Sequence, residues 1–170
     1  MADVFSGVSF LTRADWVFFL DDDNFYDPNH ISSIMSMVKE HGLHWAYSLR
    51  RYVDKEGQPI ADDNWCSLGY WPVIADTRYN LIDNSCYAVS LNLAKACSLA
   101  WTDAPYVGDR CFFRALHNTK TRVGCTGLST VNYRVGTGSG ADPSELLISA
   151  EKAKKLYPGG FPWRVPMVYP

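Results

Sequence analysis

Trp16-Val17-Phe18-Phe19-Leu20-Asp21-Asp22-Asp23-Asn24 is the stretch on which the reading of this chain turns. Five consecutive apolar residues, three of them aromatic, predict a strand buried on both faces. Three carboxylates then fall just beyond its carboxyl edge, where open α/β sheets place their ligands. Like charges this close repel one another, and a divalent cation is the simplest relief. A plainer reading makes residues 21–24 a polar strand-to-helix junction, with Asp27-Pro28 opening the next helix. One Asp would suit such a junction. Three in a row behind an apolar strand favour a metal or phosphate site.

Working outward, Val4, Val8 and Leu11 have helical spacing ahead of that strand. After it, Asp27-Pro28-Asn29-His30 starts a helix with Ile31, Ile34, Met35 and Val38 on one face and Gly42 beyond its end. Residues 45–52 read as a strand, and Asp54-Lys55-Glu56-Gly57 as a hairpin turn leading to Gln58-Pro59-Ile60. Residues 61–80 are aromatic, polar and interrupted by Pro, which suggests a long functional loop or lid. A short strand at 86–89 and a helix at about 91–100 follow. A loop at 104–108 then leads to a helix from Asp109 that carries Phe112, Phe113 and Leu116 inward. Residues 121–125 and 130–135 are expected as two strands, and Gly136-Thr137-Gly138-Ser139-Gly140 as a flexible break. A last helix at 144–156, apolar at Leu146, Leu147, Ile148 and Ala150, stops at Pro158-Gly159-Gly160. The tail, 161–170, is expected to be extended and packed on the domain, or disordered. The expected organisation is a single domain over 1–170, with its core at about 4–157 and a C-terminal tail from 158.

Bulk properties narrow the function classes. At 170 residues the chain suits one domain with a real core. Hydrophobic content of 47% and charged content of 20% describe a globular protein rather than a disordered one. A net charge of −2 gives no electrostatic case for nucleic acid or an acidic membrane. No apolar run approaches the ~20 residues a bilayer span needs. Cys66, Cys86, Cys97, Cys111 and Cys125 are odd in number and contain no CxxC pair, so buried reduced thiols and a cytoplasmic location are expected. The aromatic content of 14% offers flat surfaces that could stack on sugar rings, although most such rings belong to cores.

Four segments, in order, resemble the GT-A glycosyltransferases, and among them the family-2-type sugar transferases. Residues 16–24 are similar to the strand and DxD motif that holds a divalent metal on a nucleotide-sugar diphosphate. Tyr52-Val53-Asp54-Lys55-Glu56-Gly57-Gln58-Pro59-Ile60 looks like the hairpin that follows that motif. Gly108-Asp109-Arg110-Cys111-Phe112-Phe113-Arg114-Ala115-Leu116 resembles the "ED" helix start whose second acid is the base of inverting members; the leading Glu is here Gly108. Val131-Asn132-Tyr133-Arg134 and the Gly/Ser-rich stretch after it resemble the closing strand and flexible loop. The likeness covers about residues 4–140.

The resemblance implies an α/β fold, a GT-A-like (Rossmann-like) mixed sheet flanked by helices. Several βα units usually precede the acidic strand, so a minimal or N-terminally truncated version is expected. Its exposed edge strand would invite a second copy into a homodimer. The implied cofactor is Mn²⁺ or Mg²⁺, bound by Asp23 with Asp21 as a second ligand through water, while Asp22 (and Asp21) contact the donor nucleotide. The implied donor is a nucleotide-diphosphate sugar, a UDP-sugar first among them, and the acceptor a carbohydrate or other hydroxyl. The chemistry is consistent on its own terms. A departing nucleoside diphosphate needs its charge neutralised, which a divalent cation does as a Lewis acid. Direct displacement also needs a base, and Asp109 is the candidate.

The same residues have plainer uses. Asp109 suits a first-turn acid on a helix dipole. His117 suits a surface residue at a helix end, though related retaining enzymes place a metal-ligating His late. Arg50, Arg51, Arg78, Arg110 and Arg134 are candidates for the diphosphate, and Trp65, Tyr70 and Trp71 for an acceptor platform. Two other functions compete. One is a non-catalytic nucleotide-sugar binder. The other is a haloacid-dehalogenase-type Mg-dependent phosphatase, which also places Asp-x-Asp after an apolar strand but expects Thr or Val where Asn24 stands.

Overall fold

A computed structural model describes residues 2–71, 81–102, 108–136 and 143–170, with backbone alone at 2, 3 and 143–147. At its centre lies a parallel pair of long strands, β3 (Trp45–Val53) and β6 (Val123–Arg134). Both are almost wholly buried, as a parallel pair covered on two faces requires. The amino-terminal half of β3 pairs antiparallel with β5 (Tyr87–Ser90), and its carboxyl half with β4 (Pro59–Asp62). On the far side, β6 pairs with β7 (Met167–Tyr169) near its start and β2 (Phe25–Tyr26) near its end. Strand β1 (Trp16–Phe18) completes the order β1-β5-β3-β6-β2, antiparallel to β5. Two antiparallel steps make β1, β3 and β6 run in one direction, so their carboxyl ends share one edge. The class is therefore mixed α/β, a curled sheet flanked by helices.

The helices form where their apolar spacing places them. In the first, however, Val4, Val8 and Leu11 are exposed and Phe5 is the packed residue; Ile148 of the last is exposed too. Helix α1 (Ala2–Leu11) sets Phe5 against Phe19 and Trp101, with ring centroids 5.4 and 5.2 Å apart. Helix α2 (His30–His41) buries Ile34, Met37 and Val38, and Met37 takes the place expected of Ile31, which is exposed. It stops at Gly42, whose φ of 59° places it in the left-handed region that ends helices. Helix α4 (Gly108–Asn118) buries Phe112, Phe113 and Leu116 as expected, and α5 (Pro143–Leu156) contributes buried Ala153.

Three expectations are corrected. The acidic stretch follows a strand of three residues, not five, at the end of the sheet. With β5 its one neighbour among the described residues, Trp16 and Phe18 are half-buried and Leu20 is 44% exposed. The two strands expected at 121–125 and 130–135 are one, because pairing to β3 runs along both halves; Gly127, at φ 72°, absorbs the break between them. The helix at 91–100 is α3 (Leu91–Ala96) followed by a 3₁₀ turn, Ser98–Trp101. Of the two outcomes expected for the tail, the structure shows the extended and packed one. Trp163 is fully buried in a 3₁₀ turn, β7 joins the sheet, and a Cβ on Gly127 would lie 2.7 Å from the Val165 carbonyl carbon. Expected features at 72–80, 103–107 and 137–142, and the side chains of Leu146 and Leu147, lie outside the described residues.

Candidate functional site

The carboxyl edge shared by β1 and β3 gathers the acidic residues. The Asn24 amide donates to the Asp21 carbonyl at 3.2 Å, closing a turn with Asp22 and Asp23 at its exposed middle. Asn24 itself is buried. Its Oδ1 accepts the Arg134 amide at 3.0 Å, and its Nδ2 donates to Ser85 Oγ at 3.3 Å. The Tyr26 hydroxyl donates to the Phe19 carbonyl at 2.6 Å, tying the chain on either side of the turn. Asn24 thus serves the plain turn reading, while the three Asp side chains are held at the rim.

Sequence reasoning missed the segment that holds this turn. Asp83, Asn84 and Ser85 send three consecutive side chains to three partners. Asn84 Nδ2 donates to Asp21 Oδ1 at 2.7 Å, and Ser85 Oγ accepts from Asn24 and, at 3.5 Å, from the Asp21 amide. Asp83 caps the short 3₁₀ turn Asn84–Cys86 by accepting the Ser85 amide, and its other oxygen meets Arg50 Nη1 at 2.5 Å. A run of turn-forming residues before a strand was the available signal, and it reads as ordinary turn chemistry.

Arg50 lies between two buried carboxylates. Its Nε donates to Asp63 Oδ2 at 2.8 Å, and Asp63 also accepts the Trp65, Cys66 and Ser67 amides. The guanidinium packs over the rings of Tyr133 and Tyr52, 4.4 and 5.2 Å from their centroids. Burial alone would push the Asp63 carboxyl up, but Arg50 and the three amides hold it below the usual carboxylate range. Burial opposes the Arg50 charge too, and Tyr52, Asp63 and Asp83 outweigh it.

Asp109 stands in the first turn of α4, half-buried, with Oδ1 accepting the Arg110 amide at 2.7 Å. One turn further on, Phe112 packs edge-on to Phe19 at 5.7 Å, two residues before the acidic turn begins. Burial raises the Asp109 carboxyl above its ordinary value; the Arg110 amide lowers it, and the negative charge of Asp83 raises it again. Burial also raises Asp21, against the Asn84 bond, with Asp83, Asp23 and Asp22 adding to the rise. Asp83 therefore acts on both Asp21 and Asp109, two groups 88 positions apart in sequence.

The other candidates divide. Arg50 is occupied by its two carboxylates, and Arg51 is paired with Asp27 at 2.9 Å, so neither is offered to a diphosphate. Arg134 lies at the turn, its amide on Asn24 and its Nη1 donating to the Lys55 carbonyl at 3.0 Å. Arg78 lies outside the described residues. His117 sits at the far end of α4 with Nδ1 3.2 Å from the Tyr70 hydroxyl. Tyr70 stacks on Tyr169 at 4.4 Å, and Trp71 lies against Trp163 at 6.2 Å, so both rings belong to the packing of the C-terminal segment. Trp65 packs on the core margin with Lys152 over its ring. Cys86, Cys97 and Cys125 are buried thiols as expected, whereas Cys66 is exposed.

Among the described residues, no three His, Cys, Asp or Glu side chains converge as a group able to hold a metal ion. None of the described helices is long and apolar enough to cross a membrane. The chain matches no protein-family model and no curated protein.

Proposed function

We propose that the chain is a GT-A-type glycosyl-transferring domain that moves a sugar from a nucleotide-diphosphate donor to an acceptor hydroxyl. The observation that carries this reading is that Asp83, whose neighbour Asn84 holds Asp21 of the acidic turn, raises the carboxyls of both Asp21 and Asp109. The donor set fits a hard divalent cation, because carboxylate oxygens at an exposed turn suit Mg²⁺ or Mn²⁺. Asp23, with Asp21, would hold it, and the donor's own phosphate oxygens would complete the shell that two carboxylates leave open. Bound there, the cation would neutralise charge on the departing diphosphate.

The chain's own residues supply the rest. Asn84 fixes one oxygen of Asp21, Asn24 and Ser85 fix the turn, and Asp22 faces solvent, where donor hydroxyls can reach it. Asp109 takes the proton of the acceptor hydroxyl as its oxygen bonds to the anomeric carbon and the bond to the diphosphate oxygen breaks. A raised carboxyl is a stronger base once ionised, which suits that role. The Arg110 amide on Asp109 favours a second reading, in which that acid only caps its helix and the domain binds nucleotide-sugars without turnover.

Calorimetric titration with UDP-, GDP-, CDP- and dTDP-sugars, with and without Mn²⁺, tests the proposal. Metal-dependent binding lost in Asp23→Asn supports it. Binding indifferent to both the metal and that substitution refutes it.

A further inference from the structure

His30 opens α2 directly beneath β2, fully buried. Its Nδ1 lies 2.8 Å from the Thr130 hydroxyl and 3.5 Å from that of Ser48, while its Nε2 is buried with no hydrogen-bond partner. The ring stacks on Tyr26 with centroids 3.8 Å apart and planes 16° from parallel, and the edge of Phe18 approaches at 6.1 Å. Tyr26 in turn donates to the Phe19 carbonyl, the bond that ties the two flanks of the acidic turn.

We propose that His30 is an acid-operated latch on that turn: its neutral ring props Tyr26, and a charged ring leaves its slot and frees residues 19–26. The inference concerns the turn itself and holds whether or not the domain transfers sugars.

The surroundings offer little to a charge. From β2 and its end come Tyr26 and Asp27, from β3 Ser48 and Arg51, from β6 Thr130 and Asn132, and from β1 Phe18. Asp27 is the one nearby anion among these, and it is already shared between Arg51 at 2.9 Å and Asn132 Nδ2 at 2.8 Å. The positive end of the α2 dipole opposes a cation at its first residue. A second ring proton would sit on Nε2, which has no acceptor. Burial accordingly lowers His30 to about 4, with Asp27 opposing the shift. A group whose folded value lies below its free value binds more protons in the open state, so the closed turn loses ground as pH falls from about 6.5 towards 4.

Hydrogen exchange of the backbone amides at 19–30 tests this on the full chain, comparing wild type with His30→Phe at each pH so that intrinsic rates cancel. His30→Phe keeps a ring against Tyr26 and cannot charge. The expected result is wild-type opening about tenfold greater at pH 5.5 than at pH 7.5, from the linkage above, and a flat profile in the variant. Matching profiles in the two proteins would overturn the latch. Should His30→Phe not fold, the wild-type imidazole signal decides: a midpoint at the free-imidazole value of about 6.5 overturns the proposal, and one near 4 that coincides with opening of residues 19–26 supports it.

Discussion

Replacing Arg50 by Met tests how the floor of the site is held. The substitution keeps a long side chain over Tyr133 and removes the charge between Asp63 and Asp83. Asp63 is fully buried and Asp83 5% exposed, so both carboxylates would be left without their cation in a low-dielectric setting. Breaking one member out of a buried ion network costs about 3–5 kcal/mol. At about 2–4 °C per kcal/mol for a chain of this size, the melting midpoint should fall by roughly 6–20 °C at pH 7. The pH dependence supplies the sharper check. In the wild type, Asp63 is held below its ordinary value, so its contribution is present at neutral pH and lost as pH drops below about 4. Without Arg50 the same burial raises the Asp63 carboxyl, so acidification relieves the variant and its deficit should shrink between pH 7 and pH 4.5. Thermal melts followed by circular dichroism across that range measure both effects. A variant within 2 °C of wild type at pH 7, by the same scale, or a deficit that does not narrow on acidification, would refute the assignment.

Asp109→Asn should lower transfer by about 10²–10⁴-fold with donor affinity nearly unchanged, and unaltered turnover would remove Asp109 from the mechanism. Because burial raises that carboxyl, the same variant should be no less stable than wild type at pH 7, which a melting curve reads directly. Asn84→Ala frees Asp21 Oδ1 and should weaken Mn²⁺-dependent donor binding by about tenfold in calorimetry; an unchanged affinity would deny Asn84 its holding role. Gly127→Ala should cost about 2–4 kcal/mol in denaturant unfolding, since φ is 72° and the added carbon would meet the Val165 backbone.

Elements with strong local signals were legible in the sequence. Helix α2 announced its end through Gly42, and α4 its buried face through Phe112, Phe113 and Leu116, because each rests on periodicity within a few residues. What escaped depends on partners distant in sequence. Nothing local marks Asp63 as the counter-charge of Arg50, or Asn84 as the holder of Asp21, 63 positions earlier. The strand before the acidic turn looked fully buried because hydrophobicity reports residue type, whereas its place at the end of the sheet is set by pairing with β5. The split expected in β6 does not occur, because the parallel register with β3 carries the strand through Gly127. Turn chemistry and functional chemistry also share residue types, so Asp83-Asn84-Ser85 reads as an ordinary turn while Asp21-Asp22-Asp23, three like charges in a row, does not.

The charge balance at the sheet edge constrains what can approach it. Arg50 brings one positive charge, and Asp63 alone matches it; Asp83 is then surplus, beside Asp21 and within reach of Asp109. Asp22 and Asp23 add two more negative charges at the exposed rim. Arg110 and Arg134 supply cations nearby, but the Arg134 guanidinium directs Nη1 to the Lys55 carbonyl. A diphosphate arriving by itself would meet like charge at the place where Asp21 already resists ionisation. On the proposed function, then, the cation and the donor bind as a unit, and each raises the affinity of the other. Mn²⁺ titrated without a nucleotide-sugar should bind weakly, and UDP-sugar without Mn²⁺ weakly or not at all, with reciprocal enhancement when both are present. Equal donor affinity in chelator and in Mn²⁺ would show that the acidic turn contributes nothing to diphosphate recognition, however well its geometry is held.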